Sequence, residues 1–92
     1  MDSLVKERVL LAVHELVKEF IERGDVDVLL RGVSIDAIAS RCRSSLRDVN
    51  RACKLLEEEG HLVVYRDSAG RVDRVKPVQL EAIRFLLENV PT

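Results

Sequence analysis

Arg47, Asn50, Arg51 and Lys54 stand at i, i+3, i+4 and i+7, the spacing that places four side chains on one face of an α-helix. Together they suit one kind of chemistry. A guanidinium bridges two acceptors on a guanine edge, a carboxamide pairs with adenine, and an ammonium meets phosphate as a point charge. Lys54, a full turn further in, is the phosphate contact of the set. Just upstream, Ser44, Ser45 and the first free amides of the same helix offer another. A second basic group, Arg66, Arg71 and Arg74, brackets the turn sequence Asp67-Ser68-Ala69-Gly70.

Catalysis has no comparable set of residues. His14 and His61 fall on different elements, His14 on a partly outward helix face, and neither has a nucleophile or metal partner at a recognisable spacing. There is no glycine-rich phosphate loop. Cys42 and Cys53 form no CxxC pair and sit at apolar positions of helical patterns, so packed thiols are expected, with a disulfide left open. The expectation is a protein that is not an enzyme and carries no metal or cofactor.

The formal net charge of −1 argues at first against a polyanionic partner, but the distribution reverses that. Residues 1–40 carry a balance of −3, residues 41–76 one of +3 and the last sixteen one of −1. Within 41–56, Arg41, Arg43, Arg47, Arg51 and Lys54 face Asp48 alone. An acidic body with a basic middle suits contact with a polyanion through one face. A salt-bridged, solvated helix surface is the competing reading of the same run.

The elements that must hold these residues follow from hydrophobic period and caps. With 92 residues, 47% of them hydrophobic and only three aromatic, the chain makes one domain around an aliphatic core. Residues 3–23 read as a helix capped by Ser3, with Val5, Val9, Ala12, Val13, Leu16 and Phe20 inward and Gly24 as its stop. Leu4, Leu10, Leu11, Val17 and Ile21 lie partly outside that stripe, which points to a second covered face. Asp25 to Gly32 reads as a short helix capped by Asp25 with Val26, Leu29 and Leu30 inward, a strand over 28–30 being the alternative. Ser34 caps the next helix, whose stripe is Ile35, Ile38, Ala39 and Cys42. Ser45 and Asp48 form a capping-box-like pair for another, with Leu46, Val49, Cys53 and Leu56 inward and Gly60 as its stop. His61–Arg66 and Arg71–Lys76 read as two strands around the four-residue turn, and Pro77 ends the second. From Val78 the pattern is helical again through Leu80, Ile83, Leu86, Leu87 and Val90. The fold class is mainly α with a small β-hairpin: a helix-turn-helix at about 34–59, a hairpin at about 61–76 and a C-terminal helix at about 78–90, all in one domain spanning 1–92.

The stretches Val33–Arg41 and Ser45–Gly60, the latter ending Leu56-Glu57-Glu58-Glu59-Gly60 before a strand, resemble the second and recognition helices of the winged helix-turn-helix family. The likeness is greatest to small MarR-like and archaeal transcriptional regulators, and it is close over residues 33–76. Two positions depart from the pattern: Arg43-Ser44 stand in the turn where many members have Gly and a small apolar residue, and His61 stands where an apolar residue is common. The resemblance implies a three-helix core with a wing and a C-terminal helix. It implies helix 45–59 in the major groove of double-stranded DNA, and hairpin 61–76 on the adjacent backbone or minor groove.

These readings combine into a dimeric DNA-binding transcriptional regulator that meets its partner copy through the first and last helices. Its expected location is the cytoplasm, associated with the nucleoid, because no leader or membrane span is visible. The alternative is a winged helix that serves protein–protein contact in a transcription, chromatin or trafficking assembly. RNA is a weaker third, since aromatic stacking residues are scarce.

Overall fold

The structure, a computed structural model, describes residues 3–89, apart from the Ser3 side chain. The expected Ser3 cap and the terminal Val90 and Pro91 lie outside it. The chain is mainly helical with one small antiparallel sheet, compatible with the winged arrangement expected. In chain order the elements are α1 (Ser3–Glu22), α2 (Val28–Arg31), β1 (Val33–Ser34), α3 (Ile35–Cys42), α4 (Leu46–Glu58), β2 (Leu62–Arg66), β3 (Val72–Pro77) and α5 (Gln79–Glu88). No helix among the described residues is long and apolar enough to cross a membrane.

The core is the aliphatic one that the composition requires. Val9, Ala12, Val13, Leu16 and Val17 of α1 meet Ile35, Ile38, Ala39 and Cys42 of α3 and Val49, Ala52, Cys53 and Leu56 of α4. Leu62, Val72 and Val75 close it from the sheet side. Polar contacts at the rim tie α1 to its neighbours. Arg41 makes a bidentate pair with Glu19 at 2.5 and 2.6 Å, Lys6 meets Glu59 at 2.8 Å, and Arg8 donates to the Cys42 carbonyl. Both cysteines are buried free thiols, and burial pushes the Cys53 thiol up to about 12.

Three helices end in the same way. The amide just after a left-handed residue reaches back five residues to a carbonyl: Asp25 to Phe20, Ser44 to Ala39 and His61 to Leu56. The residue in the left-handed region is Gly24 in the first case and Gly60 in the third, but Arg43, at φ 53°, in the second.

The sheet differs from a lone hairpin. Val33 and Ser34 form a third strand, β1, antiparallel to β3 with Val33 opposite Val75 and Ser34 opposite Arg74. Two residues carry no period, so the sequence could not reveal this strand. β3 is therefore central, in the order β1-β3-β2, and it includes Pro77 at its end, opposite Leu62. A β-bulge between Tyr65 and Arg66 precedes the turn.

Four expectations about facing need correction. In α2 the buried residue is Val28, while Val26, Leu29 and Leu30 point outward. A single helical turn sets its facing by where the chain must next go, and here it must deliver Gly32 and Val33 to β3. The cap position of α2 is Asp27 rather than Asp25. The Asp25 carboxylate makes a bidentate pair with Arg31, at 3.0 and 2.7 Å, while the Asp27 and Val28 amides also favour its charged form. In α4 the fourth buried position is Ala52, not Leu46, because the first turn overhangs the core. In α1 the residues thought spare are mostly used internally: Val17 is buried, Leu10 and Ile21 pack partly against the core, and Leu4 and Leu11 are exposed.

His14 is the fourth correction. It is buried and stacks on Phe85 of α5, with ring centroids 4.9 Å apart and planes 17° from parallel. Burial holds its imidazole below the usual value of 6.5, with Glu81 acting in the opposite direction and His61 adding to the lowering. His61 in turn pairs with Glu81 at 2.7 Å, so two histidines from the body grip α5.

The unfolded chain therefore binds a proton at His14 that the folded chain resists. Stability contributed by neutral His14 is present above pH 6.5 and falls as pH drops through that value toward the lower folded pKa. Urea unfolding at pH 7.5 and 5.5 should show this loss, and His14→Phe, which keeps an aromatic on Phe85, should shrink it. Equal pH dependence in the two proteins would contradict the assignment. Gly32 gives a second expectation. Its φ is +77° and an added Cβ would lie 2.6 Å from the Val75 carbonyl oxygen. Gly32→Ala should cost about 2 kcal/mol or more in the same assay.

Candidate nucleic-acid interface

α4 is placed by its two ends. The Ser45 hydroxyl accepts from the Asp48 amide at 3.1 Å, and Val49 closes the first intrahelical bond on Ser45, at 3.0 Å. Only half of the capping box is made, since the Asp48 side chain is one methylene shorter than glutamate. The amides of Leu46 and Arg47 are left at the mouth of the helix, where the dipole favours an anion. The core stripe Val49, Ala52, Cys53 and Leu56 then turns Arg47, Arg51 and Lys54 to solvent, with Asn50 half-buried beside them.

The hairpin tip is placed by Asp67. Its carboxylate accepts from the amides of Ala69 at 2.9 Å and Arg71 at 3.0 Å, and its own amide donates to the Arg71 carbonyl at 2.9 Å. This is the local bonding that makes Asp a turn former. It ties the Arg71 backbone into the closed turn.

The outcome is a shared concavity of about 370 Å³, lined by Arg47, Asn50, Arg51, Lys54, Gly70, Arg71 and Val72. Two elements separated by a whole strand thus present their basic residues to the same space. The side chains of Arg47, Arg51, Lys54 and Arg71 have no ion pair among the described residues, and the same is true of Arg43 in the turn before α4. One further detail belongs to this space. The Asn50 Oδ1 is buried without a hydrogen-bond partner among the described residues, a position with unused hydrogen-bonding capacity.

The remaining predicted residues are engaged elsewhere. Arg66 makes a bidentate pair with Glu57 at 3.2 and 2.9 Å, and its guanidinium holds the Glu57 carboxyl below the ordinary carboxylate range. Arg74 is half-buried and donates to the Gly32 carbonyl at 3.3 Å, bracing the β1 end of the sheet. Ser44 donates its hydroxyl to the Cys42 carbonyl at 3.3 Å and its amide to Ala39 at 3.1 Å, so only Ser45 and the amides beyond it face outward. Arg41, part of the basic run, belongs to the α1 ion pairs. Arg43 belongs to the basic run but is not among the contacts that the sequence pattern predicts. Its left-handed backbone is the signal that marks it, since an arginine held there is strained where glycine would not be.

No protein-family model matches this chain, and no curated protein matches it. Among solved structures, the fold is similar to that of a protein from Ralstonia eutropha JMP134 provisionally described as DNA-binding. The two superpose with a TM-score of 0.65 at 22% identity, over 98% of this chain and 99% of that one. At that identity the likeness is one of fold, and it extends over both chains almost end to end.

Arg43→Gly isolates the strain in the turn. Relieving the left-handed residue should raise stability by about 1 kcal/mol, while Arg43→Val, β-branched at the same φ, should lower it. Urea midpoints that do not move in these opposite directions would remove strain from the account of this turn.

Proposed function

We propose that the chain is a winged-helix protein that binds double-stranded DNA, with α4 in the major groove and the β2–β3 hairpin as the wing on the adjacent backbone. The observation that carries this reading is the common cationic concavity of α4 and the hairpin tip, whose four basic side chains have no carboxylate partner among the described residues. An α-helix fits the major groove, and residues in its first two turns reach base edges. Arg47, Asn50 and Arg51 occupy those turns. Lys54, Arg43, Arg71 and the amides at the mouth of α4 are suited to phosphate. The fold shared with a protein provisionally described as DNA-binding supports the same reading. A dimeric regulator would place two copies of α4 about one helical turn, roughly 34 Å, apart.

Glu57 and Glu59 also fit. They close on Arg66 and Lys6, which removes negative charge from the far end of α4 without using a cation from the concavity. A protein-contact reading draws on a different surface, the apolar groove between α2, the sheet and α5, and does not compete for these residues.

The test is a salt-titrated anisotropy measurement on a selected duplex and on random duplex. Arg47→Ala and Arg51→Ala should each cost about 1–3 kcal/mol on the selected site and narrow its advantage over random DNA. Arg71→Ala should weaken both duplexes alike and reduce the salt slope by about one. Arg66→Ala should leave affinity nearly unchanged, because its charge is already answered by Glu57. Unaltered binding in the first three variants would overturn the proposal.

A further inference from the structure

At the other end of the hairpin from the basic tip lies a groove of about 740 Å³ between α2, the base of the sheet and α5. Its walls include Leu29, Leu30, Val63, Pro77, Ile83 and Leu86. Around it the chain leaves large apolar side chains in water. Leu30 is 73% exposed, Leu80 68% and Leu87 70%, with Val26, Leu29 and Ile83 also exposed. Leu80, Ile83 and Leu87 recur at i, i+3 and i+7, so they form a ridge along the outer side of the helix that also walls the groove.

We propose that this surface is where a second copy of the chain docks, the α5 ridge of each protomer lying in the α2–α5 groove of the other. Three observations select a copy of the same chain over another partner. A groove and an apolar ridge of helical spacing stand side by side on one chain, which is what a two-fold interface requires of a single surface. The area is adequate: the six exposed apolar side chains present on the order of 600 Å², at the upper end of what a monomer ordinarily leaves uncovered and within the lower range, roughly 600–800 Å² per partner, of a stable interface. The charges also balance. Asp27 and Lys76 lie on the groove, Arg84 and Glu88 lie on α5, and none of the four has an ion pair among the described residues. A surface with two charges of each sign does not repel its own copy, whereas the cationic concavity would.

This interface uses α5 with α2 and the sheet base, not α1, whose apolar residues mostly serve the protomer's own core. It also lies five residues along β3 from the basic tip, about 16 Å at strand spacing, so docking covers neither concavity. The inference deepens the dimer part of the reading above and is independent of DNA.

Sedimentation of the full chain at tens of micromolar, without DNA, tests it directly. The wild type should sediment as a dimer, and Leu80→Glu and Leu87→Glu, both exposed and so expected to fold, should be monomers with native circular dichroism. Leu11→Glu on α1 and Arg47→Ala in the concavity should remain dimers. A monomeric wild type overturns the proposal, whatever else the groove binds. So does a dimer that survives both α5 variants, or one broken by Leu11→Glu. DNA binding is scored separately: a dimer that ignores DNA overturns the functional reading and leaves this interface standing.

Discussion

The pairing of Val33 and Ser34 with Val75 and Arg74 is the constraint on which the remaining geometry rests. Ser34 serves two structures at once. Its backbone belongs to the sheet, and its hydroxyl accepts from the Ala37 amide at 3.2 Å to start α3. The start of α3 is therefore locked to the middle strand of the sheet. From there α3 is only eight residues and the turn to α4 only three, so little freedom remains in where α4 begins. The same central strand carries the hairpin tip. A two-residue strand thus fixes α4 and the tip relative to one another, and with them the width of the concavity between. Gly32 admits this pairing, because its missing side chain lets the Val75 carbonyl approach.

Electrostatics then sorts arginines that look alike in sequence. Nine basic residues lie between 41 and 76, and a linear reading treats them as one positive region. In the fold, Arg41 and Arg66 are matched to carboxylates, and Arg74 is committed to a backbone carbonyl. Lys76 lies over the Tyr65 ring, its Nζ 5.7 Å from the centroid. The rest, without an ion pair among the described residues, are on the outer face of α4, in the turn before it and at the tip of the hairpin. An ion pair at the surface contributes little to stability, of order 0–1 kcal/mol, but it spends a charge that would otherwise attract an anion. The pairs on Arg41 and Arg66 therefore shape the positive surface more than they hold the fold together.

What the sequence disclosed follows the strength of each signal. Long amphipathic periods with caps, as in α1, α3 and α4, could be placed within a residue or two, and Ser34, Ser45 and Gly60 mark helix ends as their chemistry demands. Asp67 and Gly70 announced the hairpin turn. The pieces that escaped are short or are decided at a distance. Val33-Ser34 has no period, and α2 has a single turn, so its facing is set by β3 rather than by its own pattern. His14 looked like a boundary residue because its burial comes from Phe85, more than seventy residues away. For the site, the side-chain face of α4 was legible from i, i+3, i+4 spacing alone. The fates of Arg66, Arg74 and Ser44 were not, since each depends on a partner that only the fold brings near.

A net charge of −1 coexists with this basic surface because charge acts locally in salt water. At physiological ionic strength the field of an exposed charge is screened over about 8 Å. The principal extents of the protein are 39 × 29 × 23 Å, several times that length. Acidic residues on α1, such as Glu7 and Glu15, thus do little to the potential inside a concavity lined by four unmatched cations. Their effect is local to their own surface, away from the concavity. The unpaired cations cluster most densely where the first turns of α4 meet the hairpin tip. Because the β1–β3 pairing holds α4 and the hairpin tip together, the fold presents these cations on one side of the molecule in a fixed relative arrangement.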